Sequence, residues 1–209
     1  KETVYSAVYI DKYPFKELKE GEILVIHGDI GIGKTTYMLF FVENILKEGN
    51  KEVIVLDSSR IESSLAEIEY DSGKFIVLDA LGSGGNIKKK SEQLIDFVKK
   101  NKAKLIITMR THEKAIFEGV KREKGYEIKT LEPKQPSDAV PFIVANYLRH
   151  FNVNTYDLDA KEAYEIIYSN DYVYHPRLKE ALETIAEKSN GAPFYIYHAI
   201  SELSEKGLP

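Results

Sequence analysis

The chain reads as an α/β protein with a five-stranded, mostly parallel sheet, followed by a small all-helical region. Three observations carry that expectation. Runs rich in β-branched and aliphatic residues alternate with helical segments as far as Leu131, and such alternation implies right-handed crossovers between parallel strands. The runs are continuously apolar rather than alternating, as in strands covered on both faces. After Leu131 the strand signals cease and only helical patterns follow.

Glu22–His27 (EILVIH) is the first strand, and Lys34–Lys47 is a helix stopped by Gly49. Glu52–Asp57 (EVIVLD) and Lys74–Asp79 (KFIVLD) are the second and third strands, each an apolar run closed by an aspartate. Ser91–Lys100 is a helix, Lys104–Met109 (KLIITM) the fourth strand, and Tyr126–Thr130 a weaker fifth. Glu132-Pro133-Lys134-Gln135-Pro136 is a linker-like break. Helices follow at Ser137–Phe151, Asp159–Ser169, Pro176–Ser189 and Pro193–Lys206. Proline suits a first helical position, and Asn190-Gly191 a helix stop. The expected boundary separates an α/β domain, residues 1–131, from a helical domain, residues 132–209.

Composition narrows the class. Of 209 residues, 43% are hydrophobic and 30% charged, which supports a packed core and argues against disorder. A net charge of −4 supplies no overall basic field for nucleic acid. The runs Lys88-Lys89-Lys90 and Lys99-Lys100-Asn101-Lys102 lack interleaved aromatics and read as solvated faces. Cysteine is absent, excluding disulfides and Cys-based zinc sites. The histidines form no His-x-x-x-His pair. No apolar run approaches ~18 residues, so no membrane span is expected. With no signal peptide pattern, the expected compartment is the cytoplasm. The chain begins at Lys1 rather than Met, so it is expected to be a piece of something longer. Abundant Lys and Glu with scarce Gln suggest a heat-adapted source.

The sharpest motif is Gly28-Asp29-Ile30-Gly31-Ile32-Gly33-Lys34-Thr35. Its pattern, Gly-x-x-x-x-Gly-Lys-Thr, lies between a strand and a helix, where a phosphate-binding loop has to lie. Glycines let the backbone wrap a β-phosphate with its N–H groups pointing inward, and the helix N-terminus adds partial positive charge. Lys34 is expected to bridge the β- and γ-phosphates, and Thr35 to place its hydroxyl on Mg²⁺. Gly33 and Thr36 are expected to donate backbone N–H groups. The ligand is then a nucleoside triphosphate, most simply ATP, with ADP as product.

Two further strand ends belong to the same chemistry. Asp79 closes an apolar strand, and an acid there supports the Mg²⁺ shell; Asp57 competes for that role. Thr108 and Arg110 lie at the carboxyl end of the next strand, where ligands of open α/β sheets bind. A threonine there can position water or the γ-phosphate, and an arginine can stabilise charge.

Four features in order, GDIGIGKTT, FIVLD, IITMR and Gly191-Ala192-Pro193, resemble the STAND class of ATPases, a branch related to AAA+ proteins, here of archaeal type. The resemblance covers nearly the whole chain. It implies a P-loop NTPase sheet of order 5-1-4-3-2 with a C-terminal helical lid. It implies that Thr108 and Arg110 sense the γ-phosphate, and that Gly191 and Pro193 line the base or couple it to lid movement. It also implies a winged-helix domain after the lid, which this chain does not contain. One departure bears on rate: Ala80 stands where the family usually has a second acid after the Mg²⁺ acid. The expected protein is a slowly hydrolysing, Mg²⁺-dependent switch ATPase whose partners are nucleotide and either a second copy or an effector protein. A GTPase would need Asn-Lys-x-Asp after a later strand; Asn101-Lys102-Ala103-Lys104 lacks the acid and precedes its strand. A RecA-like or KaiC-like ATPase would use Asp57 as the catalytic acid. DNA-associated initiators and helicase loaders share the core but usually carry an Asp-Glu pair and an Arg in the lid.

Overall fold

The computed structural model describes residues 18–47, 49, 51–71, 74–133, 143–144, 176–189 and 191–206. Five strands form one sheet: β1 (Ile23–His27), β2 (Glu52–Leu56), β3 (Lys74–Leu78), β4 (Lys104–Met109) and β5 (Lys129–Leu131). Their order is β2-β3-β4-β1-β5, the expected 5-1-4-3-2 series read from the other edge. All four pairings are parallel. Registers of Leu78 with Ile107 and of His27 with Met109 bring the carboxyl ends of β3, β4 and β1 to one rim.

Burial follows position in the sheet. In β3 and β4 every residue after the leading lysine is buried. Edge strand β2 instead leaves Val55 74% exposed. One face carries Ile23, Val25, Ile76, Leu78, Leu105 and Ile107. These pack with Leu94, Ile95 and Val98 of α3 (Ile87–Asn101) and with Phe117 and Val120 of α4 (Thr111–Glu123). Residues of opposite parity, Ile26, Val77, Ile106 and Thr108, are buried as well. That second face is covered by α1 (Lys34–Lys47), which contacts β1, β2 and β4 and buries Tyr37, Met38, Phe40, Phe41 and Ile45. Each such side chain contributes about 1.5–3 kcal/mol on burial, and coverage on both faces is why the strand sequences do not alternate.

Several elements depart from the sequence expectation. Helix α3 starts at Ile87 instead of Ser91, because Asn86 caps it: the Asn86 side chain accepts from the Lys89 N–H at 3.1 Å. The basic run is thereby drawn into the helix, and Lys90 is buried rather than solvated. Its Nζ donates to the carbonyls of Leu81 and Ser83. Lys89 does lie on the surface, paired with Glu62 at 2.9 Å. Two helices are additional: α2 (Ile61–Glu67) and α4. β5 starts at Lys129, three residues later than expected, and ahead of it the Tyr126 hydroxyl donates to the Gly21 carbonyl.

The chain clusters into two compact units, one of Lys12–Ile30 and Lys34–Pro133, the other of Lys1–Asp11, Gly31–Gly33 and Lys134–Pro209. In the second, α5 (Pro176–Ser189) and α6 (Pro193–Lys206) contact each other. They are joined through Gly191, whose φ of 74° terminates α5 in the left-handed conformation that glycine tolerates. The helices expected at Ser137–Phe151 and Asp159–Ser169 lie outside the described residues, apart from two helical residues at 143–144. Among the described residues no helix is long and apolar enough to cross a membrane.

Candidate functional site

β1 delivers the chain to the carboxyl rim at His27, and α1 begins at Lys34. The intervening loop turns through Gly31 (φ 84°) and Gly33 (φ 90°), conformations that cost an L side chain but not glycine. Lys34 curls back over this loop. Its Nζ donates to the carbonyl of Gly28 at 2.9 Å and of Asp29 at 2.6 Å. Burial and the nearby Arg110 charge lower the Lys34 pKa, opposed by the carboxylates of Asp29, Glu113 and Asp79. Lys34 and Arg110 thus stand at one rim, where burial disfavours the lysine charge and an incoming polyanion would favour it.

The next residue links loop to sheet. Thr35 Oγ1 lies 3.0 and 2.9 Å from the two carboxylate oxygens of Asp79 and donates to them. Thr108 Oγ1 also donates to Asp79 Oδ1, and it accepts the Ala80 N–H at 2.8 Å. The three side chains come from β1–α1, β3 and β4. Thr108 is 1% exposed, and its hydroxyl is engaged with Asp79 and Ala80. Ala80 itself has φ 53°, a left-handed backbone that is uncommon outside Gly, Asn and Asp.

Asp79 and Thr35 suit Mg²⁺. That ion keeps several waters and takes one or two protein oxygens beside phosphate oxygens, and a hydroxyl touching a carboxylate offers such a set. Among the described residues no group of three or more His, Cys, Asp or Glu offers an all-protein metal cage. Asp57 sits apart from this network. It is the turn acceptor for Ser59, from N–H at 2.8 Å and from Oγ at 2.7 Å, and these two bonds lower its pKa.

Arg110 is exposed at the end of β4, and its N–H donates to Glu113 Oε2 at 2.7 Å. Thr111 Oγ1 donates to Asp29 Oδ1 at 3.1 Å, tying the start of α4 to the loop. Glu113, 6% exposed, was not anticipated. The available signal was a glutamate three residues after Arg110, the N3 position of a capped helix, but α4 itself was not expected. Ile30 is exposed, while Ile32 and Thr36 are half-buried. Gly191 and Pro193 belong to the helical unit, where the Gly191 N–H donates to the Ser189 hydroxyl at 3.2 Å and Pro193 is the first residue of α6.

A glycine-rich loop between β1 and α1, a Thr–Asp pair across β1 and β3, and this strand order define a P-loop NTPase. The chain belongs to the family described as Novel STAND NTPase 3, whose profile matches residues 13–140. Similar solved folds include the replication initiator DnaA bound to AMPPCP and single-stranded DNA (TM-score 0.57, 16% identity, 90% of this chain and 56% of that one). A DNA replication initiation factor gives TM-score 0.58 at 15% identity, again over 90% of this chain and 56% of the other. A Thermotoga maritima RuvB variant gives 0.50 at 15% identity, over 88% and 55%. At these identities the likeness is one of fold, and the chain spans just over half the length of each. No curated protein matches it.

Proposed function

We propose that this chain binds ATP with Mg²⁺ and hydrolyses it slowly, as a switch ATPase. Its nucleotide state would set the arrangement of the helical region, residues 132–209, or assembly with a second copy or an effector protein. The observation that most supports this reading is the Thr35–Asp79–Thr108 chain beside a Lys34 held only by loop carbonyls. Lys34 can exchange those carbonyls for β- and γ-phosphate oxygens, gaining charge-assisted bonds. Thr35 and Asp79 would hold Mg²⁺, which when bound neutralises charge on the phosphate oxygens. Thr108 acts as a positioning residue for Asp79, so the sensing role falls to Arg110. Gly191 and Pro193 would meet the base or relay its presence to α6.

Slow turnover follows from Ala80, which offers no carboxylate beside Asp79; the rate is expected well below the ~10 s⁻¹ median of enzymes. The test is competition against a bound fluorescent nucleotide together with phosphate release. ATP should displace the probe, GTP should do so far less well, and phosphate should appear only with Mg²⁺. Arg110→Ala should weaken ATP more than ADP, because a contact made only to the γ-phosphate cannot affect ADP. Equal displacement by ATP and GTP, or no Mg²⁺-dependent release, would contradict the reading.

A further inference from the structure

Hydrolysis needs a group to orient the attacking water and take its proton, and the obvious positions are accounted for elsewhere. Ala80 has no polar side chain. Asp79 is occupied by the hydroxyls of Thr35 and Thr108. Asp57 is exposed on an edge strand and accepts from Ser59 in its own turn. Asp29, in the loop itself, is exposed and accepts from Thr111. Among the described residues, Glu113 is a buried carboxylate at this rim with a hydrogen bond on one oxygen alone.

We propose that Glu113 is the catalytic residue that activates water, supplied from the start of α4 rather than from the tip of β3. This inference rests on the ATPase reading given above. Four observations carry it. Glu113 is 6% exposed, and among the described residues its one ion-pair neighbour is His112 Nε2, 3.9 Å away. Its Oε2 is fixed by the Arg110 N–H at 2.7 Å, which orients the carboxylate without neutralising it. The other oxygen, Oε1, lies against Gly82 in the loop that follows Asp79, so close that a Cβ on Gly82 would stand 1.9 Å from it. Finally, Glu113 lies in the first turn of α4, at the carboxyl end of β4, the strand that pairs with β1 ahead of the phosphate loop, and its charge raises the Lys34 pKa. A buried carboxylate at the carboxyl rim that carries the phosphate loop, oriented through one oxygen, suits a general base. Gly82 is then required as glycine to leave room for that oxygen; its backbone is not left-handed, so space is the only constraint.

The step balances simply. A water oxygen attacks the γ-phosphorus while the bond from that phosphorus to the β,γ-bridging oxygen breaks, and ADP leaves with the electron pair. The water proton passes to Glu113 Oε1 and then to a phosphate oxygen or solvent, so that ATP and water give ADP and inorganic phosphate. Drawing the base from a second strand end makes its alignment depend on the Gly82 loop, consistent with slow turnover.

The test compares kcat, and separately the affinity for MgATP, in wild type, Glu113→Gln, Gly82→Ala and Asp57→Asn. Glutamine keeps an acceptor for the Arg110 N–H but cannot take the proton, so Glu113→Gln should bind MgATP as wild type does while kcat falls about 10²–10⁴-fold. Gly82→Ala should displace the carboxylate and lower kcat in the same direction with affinity retained. Asp57→Asn should change neither. Wild-type kcat in Glu113→Gln, or its loss in Asp57→Asn, would overturn the proposal. If Glu113→Gln loses its cooperative melt, Gly82→Ala decides, and full turnover there overturns it. Wild-type turnover no higher than that of Lys34→Ala would instead remove the ATPase reading and this proposal with it.

Discussion

Two strands of this sheet are almost interchangeable as sequence. β2 with its last flank reads EVIVLD and β3 reads KFIVLD. Each ends at the same rim in an aspartate. β3 lies between β2 and β4, and Asp79 receives hydroxyls from Thr35 and Thr108 on separate elements. β2 lies at the sheet edge, and Asp57 finds only Ser59, two residues away. The residue is the same, and strand order decides whether it meets the phosphate loop. In an open parallel sheet the carboxyl rim becomes a site where neighbouring strands send their loops to opposite faces, and the edge strand is excluded from that place.

The largest expected effect separates these two aspartates. Asp79→Asn should lower Mg²⁺-dependent ATP affinity about 10–100-fold, the range typical of losing a group that supports a metal, whereas Asp57→Asn should leave it unchanged. Titration calorimetry with and without Mg²⁺ measures both; equal losses would erase the distinction drawn from strand order.

A smaller effect is expected from Thr108→Val, which keeps the shape and removes the hydroxyl. The Ala80 N–H loses its acceptor and Asp79 one of its donors. A cost of about 1–2 kcal/mol follows, with Tm falling roughly 2–8 °C. A melt identical to wild type would show that Asp79 is held by Thr35 alone.

The smallest effect concerns His27, at the base of the phosphate loop. It is 8% exposed, its Nε2 accepts from Lys114 Nζ at 3.0 Å, and its Nδ1 is buried without a partner. Burial and then Lys114 lower its pKa below the ordinary 6.5, with Lys34 acting the same way and Glu132 and Glu118 opposing. The fold thus favours neutral His27. The unfolded chain takes up the proton first as pH falls, so this contribution is complete above about pH 6.5 and is lost on descending toward the folded pKa. Melting curves between pH 7.5 and 5 should fall less steeply for His27→Gln than for wild type. Parallel curves would contradict the assignment.

Much of this fold was legible in the sequence because the strands are covered on both faces and so stand out as unbroken apolar runs. Helix α1 was legible to its ends, since Gly33 and Gly49 flank it. The phosphate loop was legible because backbone geometry demands glycine at fixed positions. Helix α4 was not. Phe117 and Val120 are the large apolar side chains it buries, and Glu113 occupies the third buried position, so hydrophobic periodicity is too weak to mark it. Missing the helix meant missing Glu113. Lys90 was misread for a related reason. A run of three lysines looks solvated, and only the turn of α3 shows that one of them points inward to cap loop carbonyls.

Phosphate binding at this rim would depend first on Lys34 and the loop around it. Among the described residues Lys34 Nζ bonds only to the carbonyls of Gly28 and Asp29, so Lys34→Ala should fold and melt like wild type. Losing its charge-assisted bonds to phosphate should cost about 1.5–3 kcal/mol, or roughly 10–150-fold in MgATP affinity. Isothermal titration calorimetry of the folded variant reads this directly. A loss of that size is the result expected here, and unchanged MgATP affinity in a folded Lys34→Ala protein would contradict the central claim.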